Sequence, residues 1–452
     1  MKISLIALLI GIGPLSSCGS PESRAADLKS ALAGSNVVLI SVDSFAAGHT
    51  TPYGYERDTT PALSKLAEES IRFADVSTGS SNGFASVSSL FRGEAVEFCE
   101  ARRPGEITPA GASDLASAFK RAGYRVLGLS THPGFQSALG KQRGFDSLEF
   151  VAETRADGVP EAAHVLFDQY LKTSSSAPFF IYVQLGNARA PRAPHPERAQ
   201  ALLGELPDDE AGQLAFLNGM KSARAAPNRT LMAIDLYDAV LYDIDYSIAR
   251  FSDSLKRTGR DRDTLLIVAG TCGQAFGQRG YFGVGQDVYQ EQIAVPLLMR
   301  MPAARSAGLV VHDPVALYDL FPTLADLYEL DVPPSHSGSA LTLLLTEDWH
   351  EREWPVSAST VNLKHQSSMR MGHFKLIDFS QRKGAASAQL LNLERDKLET
   401  SDHGPQRPET KSELQRELLR FRDAAKRVRG EPASITLSPE LISELQTLGY
   451  TQ

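Results

Sequence analysis

Few residues in this chain could do chemistry, and each can be weighed singly. Only three of 452 residues are cysteines, at positions 18, 99 and 272, too few for a disulfide scaffold. Cys272 stands in Gly270-Thr271-Cys272-Gly273; a thiolate there is both a nucleophile and a soft-metal ligand once a base or cation activates it. The bland alternative is a small buried apolar side chain. Asp43, followed by Ser44, closes an apolar run and is a hard-oxygen ligand that needs partners before it can hold a divalent ion. The ten histidines supply none: His132, His164, His195 and His312 are scattered, with no H-x-H or H-E-x-x-H spacing. With 54 acidic against 46 basic residues, net −8, the chain is no general nucleic-acid binder.

The elements that must position these residues follow from continuous apolar runs. Val37 to Ile40, Tyr124 to Leu129, Phe179 to Val183, Leu265 to Val268 and Val295 to Met299 read as strands buried on both faces, as in a mainly parallel sheet covered by helices. Ser113 reads as the N-cap of a helix over 114–122 closed by Gly123, and Leu236, Val240, Ile244, Ile248, Phe251 and Leu255 mark one face of a long helix ending at Gly259. Alternating strands and helices predict an α/β fold. Ligands in such folds gather at the carboxyl ends of strands, which singles out Asp43, Gln184, Asn187 and Thr271. Residues 193–228 read as a surface excursion. From about residue 331 the pattern changes to a strand pair, 374–378 with 389–393, and a charged helix over 409–429, predicting a small C-terminal α+β subdomain over 331–452.

Residues 1–17 carry Lys2 and then the apolar run Ile3 to Ile10, too short to span a bilayer and suited to a secretory signal. Leu15-Ser16-Ser17-Cys18-Gly19 resembles the bacterial lipobox, which implies lipidation at Cys18, a tether over 18–34, and attachment to the cell envelope, with Gly19 favouring the outer membrane. The membrane is then a partner through the anchor, without a basic patch.

Asn36 to Asp43, then Tyr53-Gly54-Tyr55-Glu56-Arg57-Asp58-Thr59-Thr60-Pro61, resembles the opening of the sulfatase family in the alkaline phosphatase superfamily. Ala122-Gly123-Tyr124-Arg125, Arg143-Gly144-Phe145-Asp146, Phe276-Gly277, Val295-Pro296-Leu297, Asp319-Leu320-Phe321-Pro322-Thr323-Leu324, Leu390 to Asp396 and Leu448-Gly449-Tyr450 follow the family's landmarks in order. The resemblance implies an alkaline-phosphatase-like α/β/α sandwich over 35–330. It also implies hydrolysis of sulfate or phosphate esters with a divalent ion such as calcium.

Set against those motifs, the catalytic positions depart one after another. The nucleophile position falls on Gly83, the following proline on Ala85 and the Arg or His on Val87. The metal-binding Asp-His pair falls on Thr271-Cys272, a histidine- and aspartate-rich stretch on Gln184, Asn187 and Arg189, and the group beside the leaving oxygen on Val284. Glycine has no side chain to attack with, and of the metal set only Asp43 remains, with Ser44 beside it. The family metal is therefore expected to be absent, and a Lys, Arg or hydroxyl group is expected against Asp43 in its place.

Substitutes are open to test. Ser80, Ser81 and Ser86 flank Gly83; Ser81 is a stand-in nucleophile, against the plainer reading of two loop serines and a helix-capping Ser86. In the family fold His132, Arg189 and Arg279 lie within reach of Cys272, and Arg189, Arg279 and Lys375 are candidates for a residual anion pocket. A Cys99–Cys272 disulfide is a further candidate in an oxidising compartment. Three readings stay open: a lipid-anchored pseudoenzyme that binds a glycan, an anionic envelope component or a partner protein; an ester hydrolase rearranged around Cys272 or Ser81; and a structural envelope protein whose relic pocket is closed.

Overall fold

Every apolar run becomes a strand of one eight-stranded sheet. In chain order the strands are β1 Asn36–Val42, β2 Ile71–Phe73, β3 Arg125–Ser130, β4 Ser147–Phe150, β5 Phe179–Leu185, β6 Thr264–Gly270, β7 Leu297–Arg300 and β8 Val310–Val311. They lie side by side as β8-β2-β7-β6-β1-β5-β3-β4. All pairings are parallel except those of β7, which runs antiparallel to β2 and β6. This computed structural model describes residues 20–109, 113–132, 144–151, 159–172, 177–186, 188, 194–195, 197, 200, 202, 227–346, 356–360, 366–379 and 388–447.

Side-chain alternation along β1 divides the core in two. Val37 and Leu39 pack with helices α1 Pro21–Leu32, α3 Gly83–Arg92, α4 Leu115–Arg121 and α7 Leu320–Leu327. Val38, Ile40 and Val42 pack on the other face with α2 Pro61–Glu68, α5 Glu161–Lys172 and α6 Pro227–Arg257. The result is the expected α/β/α sandwich with a mostly parallel centre.

Helix ends show how local chemistry sets the elements. Asp114, not Ser113, caps α4: its carboxylate accepts from Ser117 N at 2.8 Å, while the Ser113 carbonyl accepts from Arg92. The long helix α6 ends before Gly259, whose φ of 70° is left-handed and suits glycine. At α2 the N-cap Thr60 makes no side-chain cap bond; Asp245 of α6 supplies it instead, accepting from Ala62 N and Leu63 N at 2.7 Å each.

Residues read as a tether are largely helical. Ser20 accepts from Ser23 N at 3.3 Å and Pro21 opens α1, a favourable start signal. Leu32 is buried in the core, and Lys29 pairs with Asp326 of α7 at 2.5 Å. Cys18 and residues 1–17 lie outside the described residues.

Beyond residue 346, β9 Val356–Ser359, β10 Ser367–Met371, β11 Phe374–Asp378 and β12 Ala388–Asn392 form an antiparallel sheet in that order. The charged helix α8 Pro408–Val428 covers it with Leu414, Leu418, Phe421 and Ala425. The chain then turns back: Ala433–Ser434 pairs with Glu106–Ile107, and Leu445 joins the core of the large unit. Most of 193–228 and the Leu448-Gly449-Tyr450 landmark lie outside the described residues.

Candidate functional site

The carboxyl ends of three adjacent strands meet at Asp43. It follows β1, with its N–H donating to Leu185 O at the end of β5 (2.9 Å). Thr271 follows β6 and donates N–H to Val42 O at 2.9 Å. Its hydroxyl donates to Asp43 Oδ1 at 3.0 Å, and the Cys272 thiol to the same oxygen at 3.3 Å. The expected hydroxyl contact to Asp43 is therefore Thr271, and all three residues are fully buried.

Gly83 opens α3 directly against this carboxylate. A Cβ built at Gly83 would run into Asp43 Oδ1, with the carboxyl carbon 2.8 Å away. The Asp43 carboxylate thus takes the volume that a side chain at position 83 would need. A carboxylate beside a helix N-terminus is also favoured electrostatically, since the first N–H groups of the helix carry partial positive charge.

Asn82, not Ser86, caps α3, accepting from Phe84 N at 3.1 Å and Ala85 N at 3.3 Å. An Asn one residue before an apolar helix is an N-cap signal. Ser86 is therefore no cap: it lies within α3, is bonded to Thr78, and Thr78 donates to Thr271 O at 2.8 Å. Ser80 donates to Ser359 O at 2.7 Å. Ser81 Oγ is buried without a hydrogen-bond partner, and so without a base bonded to it, among the described residues. Val87 and Ala85 are buried in α3.

Ser44 adopts a left-handed φ of 56°, rare outside glycine, which places a strained residue beside Asp43. Tyr237 of α6 holds it, donating to Ser44 O at 2.6 Å and accepting from Ala46 N at 3.0 Å. Burial pushes the Tyr237 phenol well up, which keeps it protonated for this role. No spacing signal marks Tyr237, because its task depends on tertiary approach. Gln184, at the end of β5, accepts from Ser41 and Tyr182 through Oε1, while Nε2 is buried without a partner among the described residues.

Other expected participants are committed elsewhere. Arg279 donates to Leu398 O at 2.6 Å, pairs with Glu291 at 3.3 Å and stacks over Tyr289 at 4.0 Å. Lys375 pairs with Glu399 at 2.7 Å, both nearly inaccessible, and donates to Gln290 at 3.0 Å. Neither lines an anion pocket at Thr271; neighbouring carboxylates hold both. Cys99 and Cys272 are free thiols, so the candidate disulfide does not form; Cys99 instead donates to Ala95 O at 3.6 Å. Val284 sits in a half-exposed loop whose Gly285 lies beside Asn82. Asn187 and Arg189 lie outside the described residues.

A divalent ion of the kind the family resemblance implies would have to be held by this donor set. Of one carboxylate, one hydroxyl and one thiol, only the carboxylate is a hard anionic ligand, and its Oδ1 already accepts from Thr271 and Cys272. No cluster of three or more His, Cys, Asp or Glu able to hold a metal occurs among the described residues. These residues do not fit the ion.

The family model named Sulfatase matches residues 35–330. The chain belongs to the sulfatase family. Among curated relatives it is 28% identical to an N-acetylglucosamine-6-O-sulfatase of Bacteroides thetaiotaomicron, over 32% of this chain and 27% of that protein. It is 26% identical to mouse arylsulfatase K, over 40% of this chain and 34% of that protein. These matches span about a third or less of the relatives' lengths. Among solved structures, the phosphonate monoester hydrolase of Agrobacterium radiobacter aligns with a TM-score of 0.68 at 19% identity, covering 89% of this chain and 100% of that one. A protein in complex with its substrate D-glucosamine-2-N,6-O-disulfate aligns with a TM-score of 0.70 at 15% identity, covering 87% and 98%. Both confirm the fold.

Proposed function

We propose that this sulfatase-family chain is a lipid-anchored envelope protein that has lost ester-hydrolase chemistry and acts by binding. The observation that carries the reading is the contact between Asp43 and Gly83. The carboxylate that would ligate a metal fills the space of the nucleophile, and Thr271 and Cys272 satisfy it by hydrogen bonding. The ligand classes are a glycan, an anionic envelope component or a partner protein. The named sulfated amino-sugar chemistry of two relatives favours the glycan. No described helix is long and apolar enough to cross a membrane, and the proposed anchor is Cys18.

Rearranged hydrolysis finds less support. Cys272 donates to a carboxylate, and a thiolate facing that negative charge is disfavoured rather than activated. Ser81 has no hydrogen-bond partner among the described residues. A closed structural pocket is the second reading, favoured by the full burial of Asp43, Ser44, Ser81, Gln184, Thr271 and Cys272.

The test is turnover of aryl sulfate, phosphate and phosphonate esters by the purified chain, beside its binding to sulfated and unsulfated amino-sugar oligosaccharides. Binding without turnover supports the proposal. Turnover abolished by Cys272→Ala or Ser81→Ala establishes the hydrolase, and neither binding nor turnover favours the closed pocket.

A further inference from the structure

The proposed anchor and the folded body are separated by almost no chain. Ser20 already caps α1, and Pro21 is its first residue, three positions after Cys18. Three residues span at most about 10 Å when fully extended. The helix itself is docked rather than loose: Leu32 is 1% exposed, Ala25 is buried, Leu28 packs on the core, and Lys29 reaches Asp326 of α7 at 2.5 Å. A lipid on Cys18 therefore cannot act as a long leash.

We infer that the α1 side of the molecule is a membrane-apposed surface, held against lipid headgroups in a fixed orientation. This rests on the lipidation reading above. The outward residues of α1, among them Glu22, Ser23, Ala26, Asp27 and Ser30, are polar or small, so the helix lies against headgroups and does not insert. The helix joins the sheet at the amino end of β1, through Ser35, whose carbonyl accepts from Tyr124 and whose hydroxyl bonds Tyr328 at 3.0 Å. Asp43 lies at the opposite end of β1, about 23 Å away at the usual rise of a strand. Helix α6, with exposed Tyr246, belongs to the far layer. A bilayer on the α1 side leaves that layer facing away.

The test uses the full-length, membrane-extracted chain in phosphatidylethanolamine–phosphatidylglycerol vesicles carrying a headgroup nitroxide. One fluorophore is placed at Ala26→Cys and, in a second preparation, at Tyr246→Cys; Cys99 and Cys272 are buried and escape labelling. Mass analysis of the N-terminal peptide comes first. A Cys18 without lipid overturns the anchor and the surface together. With lipid present, the expected result is quenching several-fold stronger at position 26 than at 246, and loss of that difference when a twelve-residue Gly-Ser segment is inserted between Ser20 and Pro21. Equal quenching at the two positions overturns the oriented surface while leaving the anchor intact, and a difference that survives the insertion overturns the short connection to Cys18 as what holds the orientation.

Discussion

At the scale of single residues, positions 43 and 83 cannot both carry a large side chain. Gly83→Ala places a methyl group against the Asp43 carboxylate. Overpacking a filled site costs about 1–3 kcal/mol, read as a lower chemical-denaturation midpoint. Asp43→Ala in the same chain removes the obstacle, so the double variant should lose less than the sum of the single losses, with a coupling of about 0.5–3 kcal/mol. Additive losses would mean that the two residues do not compete for one volume. None of this was legible beforehand. The sequence marks Asp43 and Gly83 separately, forty positions apart, and only folding shows that one occupies the space the other vacated. That position 83 itself offers no attacking atom was legible, because glycine has no side chain whatever surrounds it.

At the scale of elements, Asp245 joins α6 to the N-terminus of α2 through two backbone N–H groups. Asp245→Ala should cost about 1–2 kcal/mol, the usual worth of a cap, measured by urea unfolding. Burial pushes this carboxyl up to about 7, against the lowering pull of the Ala62 and Leu63 N–H donors. A raised folded pKa means the native state holds the proton more tightly than the unfolded chain. Its stabilising share is fully present below the unfolded value of about 3.9 and is lost as pH rises through about 7. The Tm of the wild-type chain should therefore fall between pH 5 and pH 8 by a share that Asp245→Asn removes; an unchanged pH slope in the variant would contradict it. Strands were legible because β1, β5 and β6 are buried on both faces and read as unbroken apolar runs. The antiparallel direction of β7 was not, since the short apolar run Val295 to Met299 carries no direction. The tether reading missed α1 because its short, polar composition resembles a linker, while its docking depends on Leu32 and the Lys29–Asp326 pair, contacts with residues about 300 positions away.

At the scale of the whole molecule, the C-terminal sheet is fastened to the large unit by a buried polar staple. Lys375 pairs with Glu399, Glu399 accepts from Gln290 N at 2.6 Å, and Arg279 reaches Leu398 O. Burial lowers the Lys375 pKa, offset by Glu399. Glu399→Ala strands the ammonium and should cost about 3–5 kcal/mol, seen as a loss of Tm; a variant as stable as wild type would show that the staple is not structural. The staple also explains why Arg279 and Lys375 line no anion pocket: they serve the junction between the two sheets. The chain thus retains the fold of its family while Asp43, Thr271 and Cys272 bond to one another where the strands end. The measurement that bears most directly on this is metal content of the purified full-length chain after exposure to calcium, magnesium, manganese and zinc, followed by removal of unbound ion. The expected content is far less than one ion per chain, with no rise in Tm when calcium is added. One tightly held ion per chain, lost in Asp43→Ala, would contradict it.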